Sequence, residues 1–173
     1  MKFLIAIWAF GVSILIIAMS MNKVTYFDHS SLLYKESMSP EFESELKKEL
    51  SVQSLVGNED FSSLTVLFES ETCFCEQLSQ SHINQIENKS KLEKINFKRL
   101  YIQSGQLRQY VPSTPAIIIF DKSGKLSYLG PISTGAFCST KNSIFDNLIR
   151  KDFENILPGG IINSEVQGCF CNR

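Results

Sequence analysis

The chain has 173 residues, 43% of them apolar, which is one domain's worth of sequence with enough material for a core. Lys and Arg number 17 against 18 Asp and Glu, for a net charge of −1, and the basic residues form no stripe, so a nucleic-acid partner is not expected. No repeat period or low-complexity run is present.

Residues 3–19 are apolar apart from Gly11 and Ser13, with Lys2 before them and Ser20, Met21, Asn22 and Lys23 after them. At about 1.5 Å per residue this run reaches roughly 26 Å, against a bilayer core of about 30 Å. Residues 1–21 therefore read as a transmembrane anchor, with a signal peptide cleaved after Ser20 as the alternative. A buried globular helix is disfavoured, because the segment has no polar face. Either membrane reading sends the remaining chain across the bilayer, and five cysteines in an exported domain favour disulfide chemistry. Five is odd, so at least one thiol is unpaired, shared or bonded elsewhere.

Residues 22–38 have little periodicity and read as a tether into a domain spanning 39–158. Ser39 and Pro40 read as a cap and first helical position, followed by Phe42, Leu46 and Leu50 at helical spacing. Gly57-Asn58 reads as the end of that helix. Residues 64–68 form a continuous apolar run, expected as a buried central strand.

A helix is expected over 74–88, beginning at Thr72-Cys73-Phe74-Cys75. At 100° per residue, Phe74, Leu78, Ile83 and Ile86 fall within one half of the wheel. Cys75 and His82 lie near the middle of that half, while Cys73 sits at the helix mouth. Cys73 should thus be accessible and Cys75 shielded. Residues 95–102 read as a strand and 104–110 as a connector. Residues 116–120 and 125–129 flank the turn Asp121-Lys122-Ser123-Gly124 and read as an antiparallel hairpin. Apolar rows predict a last helix over 140–157, stopped by Pro158-Gly159-Gly160. The tail, 159–173, carries a second C-F-C element, Cys169-Phe170-Cys171.

Cysteines where an apolar strand gives way to a helix, and Ser113-Thr114-Pro115-Ala116 opening the next strand, resemble the thioredoxin-like superfamily. The resemblance covers about residues 39–157, and in more detail the chain looks like membrane-anchored bacterial periplasmic thioredoxin-like proteins, some of them uncharacterised. It implies an α/β fold with a central mixed sheet flanked by helices, a redox pair at Cys73 and Cys75, and a cis-proline at Pro115 preceded by Thr114. It also implies thiol–disulfide exchange on the periplasmic side of the inner membrane, with Cys73 as nucleophile and Cys75 resolving. The substrate would be a protein thiol or disulfide, bound in a groove shaped by Thr114 and Pro115, with no cofactor. The chain departs from the family in three respects: C-x-C in place of C-x-x-C, no Trp before the first cysteine, and extra cysteines.

The residues themselves leave alternatives open. A helix N-terminus lowers a thiol pKa, but Glu69, Glu71 and Glu76 oppose that effect here. Cys138, Cys169 and Cys171 are candidates for further redox steps or for structural disulfides. A bond from the tail to Cys73 or Cys75 would close a loop of nearly one hundred residues, worth about 4–5 kcal/mol in the chain-entropy model, so it is favoured over Cys169 bonding Cys171. Soft thiolates also admit Cu(I), although C-x-C spacing suits zinc poorly. The rival readings are a copper or other soft-metal module and a non-catalytic binding domain with structural disulfides. His82 is too far along its helix to activate Cys75 and reads as a half-buried core residue, and His29 carries no argument.

Overall fold

The computed structural model describes residues 2–21, 24–52, 61–70, 73–102, 107–135 and 160–172. Within them lie α1 (Lys2–Met21), β1 (Val24–Tyr26), α2 (Leu32–Ser37), α3 (Phe42–Val52), β2 (Leu64–Glu69) and α4 (Phe74–Leu92). They are followed by β3 (Asn96–Tyr101), β4 (Ser113–Thr114), β5 (Ala116–Phe120), β6 (Leu126–Pro131), β7 (Ile161–Ile162), β8 (Gln167–Cys169) and β9 (Cys171–Asn172). The expected helix end at Gly57-Asn58, the helix over 140–157 and Cys138 all lie outside the described residues.

The fold is mixed α/β. Its main sheet has the order β3-β2-β5-β6-β7, with β2 parallel to β3, β5 antiparallel to both β2 and β6, and β7 parallel to β6. The two apolar runs expected as central strands are therefore neighbours, with Val66 opposite Ile118 and Leu67 opposite Ile117. Every residue of β2, β5 and β6 is buried, as continuous apolar runs covered on both faces require. On one face Leu67, Ile117, Ile119 and Tyr128 pack with Ile83 and Ile86 of α4. On the other, Val66, Phe68, Ile118 and Phe120 share a core with Leu33, Leu46, Leu50, Phe27 and Phe170.

The hairpin forms at the expected turn. Asp121 Oδ1 accepts the backbone N–H groups of Ser123 and Lys125 and the Ser123 hydroxyl, and Gly124 takes φ +76°. Burial pushes the Asp121 carboxyl up, but these hydrogen bonds outweigh it and hold the group below its ordinary value.

The stretch expected as a tether is instead part of the domain. β1 pairs with β8, α2 follows, and Phe27 and Leu33 are fully buried. A three-residue strand and a six-residue helix are too short to show a period. Helix α3 begins at Phe42 rather than Pro40; the Ser39 hydroxyl accepts the Glu41 N–H in the turn before it. Helix α4 is rotated from its expected position. Cys75, Ser79, His82, Ile83, Ile86 and Ser90 are buried, while Phe74 and Leu78 are 49% and 41% exposed. The small residues Ser79 and Ser90 are fully buried, and the wheel places them on the buried side once the apolar weight of Phe74 and Leu78 is removed.

Helix α1 runs 20 residues, with Phe3, Trp8, Phe10 and Leu15 exposed around it. Among the described residues, no helix is long and apolar enough to cross a membrane, and the side chains of Lys2, Leu4 and residues 17–21 are not among them.

Candidate functional site

Strand β2 ends at Glu69, whose fully buried carboxylate accepts hydrogen bonds from Arg99 Nε (2.7 Å), Arg99 Nη2 (2.9 Å) and Gln80 Nε2 (3.0 Å). This charge-assisted cluster raises the Arg99 guanidinium above its ordinary value, with the hydrogen bond to Glu69 as the main cause. It joins β2, β3 and α4 directly below the cysteine segment. Glu76 Oε1 accepts the Ser70 N–H, which holds the approach to α4 against its first turn. Glu69 and Ser70, at the end of β2, are thus tied to both α4 and β3.

Cys73 is the N-cap of α4, with extended backbone (φ −101°, ψ 129°), and Cys75 lies in the first turn. Cys73 is half-buried and Cys75 only 6% exposed, as expected. The two are not bonded to each other. Cys73 bonds Cys171, with Cα atoms 6.1 Å apart, and Cys75 bonds Cys169, with Cα atoms 5.4 Å apart. Both separations lie in the usual disulfide range. The pairing expected from the resemblance, Cys73 with Cys75, is therefore replaced by two nested links to the tail. The extended tail accounts for the change: residues two apart point the same way, and pairing with β1 and β4 brings both sulfurs to the start of α4. Cys169 and Cys171 face the start of α4, while Phe170 between them enters the core and meets Phe27 edge-on at 5.4 Å. In the other C-F-C element the chain enters a helix, and Phe74 turns out to solvent beside Cys73.

Backbone pairing holds the tail on both edges. β8 runs antiparallel to β1, with Val24 opposite Cys169 and Tyr26 opposite Gln167. Gly135 adds two bonds, accepting from the Cys169 N–H and donating to the Gln167 carbonyl. β9 runs antiparallel to β4, with Thr114 opposite Cys171 and Ser113 opposite Asn172. The Ser113 hydroxyl donates to the Phe27 carbonyl (2.6 Å) and lies 3.2 Å from Asn172 Oδ1, stitching β1, β4 and β9 together.

The Thr114–Pro115 peptide bond is cis, as expected. It lies immediately after the residue that pairs with Cys171, so the cis-proline, the tail strand and the accessible sulfur occupy one place. The Thr114 hydroxyl is fully buried and has no hydrogen-bond partner among the described residues. Sulfur atoms of Cys73, Cys75 and Cys171 all lie within 4.8 Å of one another. His82 is buried further along α4, at 2% exposure, and is not part of this group. Sequence reasoning missed the role of the tail as a strand. Its signal was the alternation of Cys169, Phe170 and Cys171, which places one apolar side chain opposite two sulfurs.

Residues 41–173 match the family described as Domain of unknown function (DUF6436). The chain belongs to this family. No curated protein and no solved structure matches it. The DUF6436 match begins just before α3 and runs to the last residue, so it includes both C-F-C elements and the cis-proline segment.

The nested pairing has an energetic consequence. In the chain-entropy model, closing the 94-residue separation between Cys75 and Cys169 removes about 4.7 kcal/mol of denatured-state freedom. With that link made, joining Cys73 to Cys171 closes a ring of only a few residues and adds about 2 kcal/mol. Replacing Cys73 and Cys171 together by Ser should therefore lower unfolding free energy by about 2 kcal/mol, and replacing all four by about 7 kcal/mol. Urea unfolding of the three proteins measures the difference; equal losses from the two-cysteine and four-cysteine variants would contradict the nested arrangement.

Proposed function

We propose that this protein is a membrane-anchored, thioredoxin-like thiol–disulfide exchange protein working on the periplasmic side of a bacterial inner membrane. Its exchangeable bond is Cys73–Cys171. The fold assignment is supported by the order of the five-stranded sheet, the cysteine segment between central strand β2 and helix α4, and the cis bond before Pro115. One observation carries the chemistry. The half-buried Cys73 sulfur at a helix N-cap is bonded to Cys171, and Cys171 lies opposite the residue that precedes the cis-proline.

In the oxidised protein, a thiolate of a substrate protein attacks Cys73 Sγ. The Cys73–Cys171 bond breaks, a Cys73–substrate mixed disulfide forms, and Cys171 leaves as a thiolate that takes a proton from solvent. A second substrate thiolate then attacks the mixed disulfide and releases Cys73. The substrate has lost two electrons to the Cys73/Cys171 pair. Run in reverse, Cys73 is the nucleophile on a substrate disulfide and Cys171 resolves, the role first expected of Cys75. The N-terminus of α4 favours the Cys73 thiolate as leaving group and as nucleophile. Cys75–Cys169, shielded beneath, keeps the tail in place during exchange. Exposed Phe74 and Leu78 offer an apolar surface beside Cys73 to a protein substrate.

The anchor reading is supported by the apolar run of residues 3–19 and by the large apolar side chains exposed around α1. Only two residues separate Met21 from Val24, whose strand partner is Cys169. Val24, the strand partner of Cys169, therefore lies within about 11 Å of chain from the end of that helix. Membrane fractionation with N-terminal sequencing should find the full-length chain in the membrane. A soluble form beginning at Met21 would replace the anchor by a cleaved signal.

Exchange is tested with the detergent-solubilised full chain in insulin-reduction and disulfide-isomerisation assays. Cys73→Ser should abolish activity, and Cys171→Ser should accumulate mixed disulfides visible on non-reducing gels. Full activity in Cys73→Ser would end the catalytic reading.

A further inference from the structure

The two tail disulfides account for the oxidised protein; the position of their sulfurs has a second consequence for the reduced one. Cys73, Cys75 and Cys171 come from two segments far apart in sequence, yet their sulfurs all lie within 4.8 Å of one another. A trigonal three-thiolate site with metal–sulfur bonds of about 2.3 Å has sulfurs about 4.0 Å apart. We propose that the reduced protein binds one Cu(I) ion through the thiolates of Cys73, Cys75 and Cys171, at a site that disulfide formation closes. The proposal rests on the arrangement of the sulfurs and is independent of exchange activity.

Several features favour a soft monovalent ion. All three donors are thiolates, which select Cu(I) over harder cations. Among the described residues three sulfurs lie within mutual reach, the number a trigonal site takes, whereas structural zinc takes four ligands. Cys75 is buried and Cys73 and Cys171 are half-buried, so an ion held here is largely shielded from solvent. The site lies at the N-terminus of the 19-residue α4, where the helix dipole offsets the negative charge of the thiolates. The carboxylate that could compete, Glu76, is turned to the Ser70 N–H. The scaffold does not depend on the disulfides alone: β8 and β9 pair with β1 and β4, and Phe170 is seated in the core. Reduction therefore leaves Cys171 opposite Thr114, and side-chain rotation about Cα atoms 6.1 Å apart opens the Cys73–Cys171 pair to metal-bridging distance.

The chemistry balances as follows. A dithiol reductant supplies two electrons and two protons to each of the two disulfides, giving four thiols and two oxidised reductant molecules. Cu(I) then displaces the protons of three of those thiols to solvent. Two molecules of a disulfide-bearing oxidant then each accept two electrons from one cysteine pair and take up protons as they become dithiols, the two tail disulfides re-form, and the ion is released as Cu(I). The site is thus a redox-gated copper site, in which holding metal and holding the tail covalently are mutually exclusive.

The test uses the full chain in detergent, reduced with a phosphine, freed of reductant without oxygen, and titrated with Cu(I) against a chromophoric Cu(I) chelator. The reduced protein should withdraw one Cu(I) per chain and the oxidised protein none. Cys73→Ser and Cys171→Ser should each weaken binding by about 100-fold or more, since loss of an outer-shell partner alone costs about 10–100-fold. Cys169→Ser should retain affinity within about tenfold of the reduced parent, and X-ray absorption should count three sulfurs at about 2.3 Å. Far-UV circular dichroism of each variant reports whether a loss reflects the ligand or the fold. Failure of the reduced, folded protein to take copper from the chelator would overturn the proposal. So would equal binding by the oxidised form, or a loss in Cys169→Ser as large as in Cys73→Ser, which would mean a four-thiolate site. An active exchange assay with no copper binding would leave the preceding reading standing alone.

Discussion

The site depends on where the last residues of the chain go. An extended tail is laid between β1 and β4, and its alternation splits three consecutive residues between two environments: Phe170 into the core, Cys169 and Cys171 toward α4. Backbone pairing aims the sulfurs, and the sulfurs in turn lock the pairing. Remove Phe170 from the core and both links lose their register. Gly168 shows how tight the fit is, since a Cβ there would come within 2.7 Å of the Phe170 ring and 3.2 Å of the Gly135 nitrogen.

Two bonds so close together divide the labour. Either link alone closes a loop of nearly one hundred residues, and whichever is counted second adds little further constraint on the unfolded chain. The outer Cys73–Cys171 link adds little once the inner one exists, and its sulfurs are the more accessible. With the inner link in place, the outer bond, at a helix N-terminus and beside a cis-proline, carries little of the structural constraint. β9 lies along the edge of β4, so the tail is both the disulfide partner of Cys73 and the occupant of the neighbouring strand edge.

Much of the frame was legible in the sequence. Residues 64–68 and 117–120 are unbroken apolar runs, and only a strand buried on both faces carries that pattern. The hairpin was legible because Asp121 and Gly124 each meet a specific backbone need. The cis bond at Pro115 followed from the resemblance, and the unequal exposure of Cys73 and Cys75 from their positions at a helix start. The wheel of α4 misled because Phe74 and Leu78 are apolar yet exposed, while Ser79 and Ser90 are polar yet fully buried. β1, α2, β8 and β9 are each six residues or fewer, below the length at which periodicity speaks. The cross-links between the two C-F-C elements depend on which edges the tail pairs with, and that is a long-range property. The loop-closure argument favoured a long-range link without choosing its partners.

Everything proposed for the site rests on which cysteine holds which. Phe74 and Phe170 lie between the paired cysteines, so cleavage after aromatic residues separates Cys73 from Cys75 and Cys169 from Cys171. Mass spectrometry of the unreduced, alkylated chymotryptic digest should find one linked peptide pair containing Cys73 and Cys171 and another containing Cys75 and Cys169. Recovery of Cys73 joined to Cys75, or of Cys169 joined to Cys171, would contradict the account.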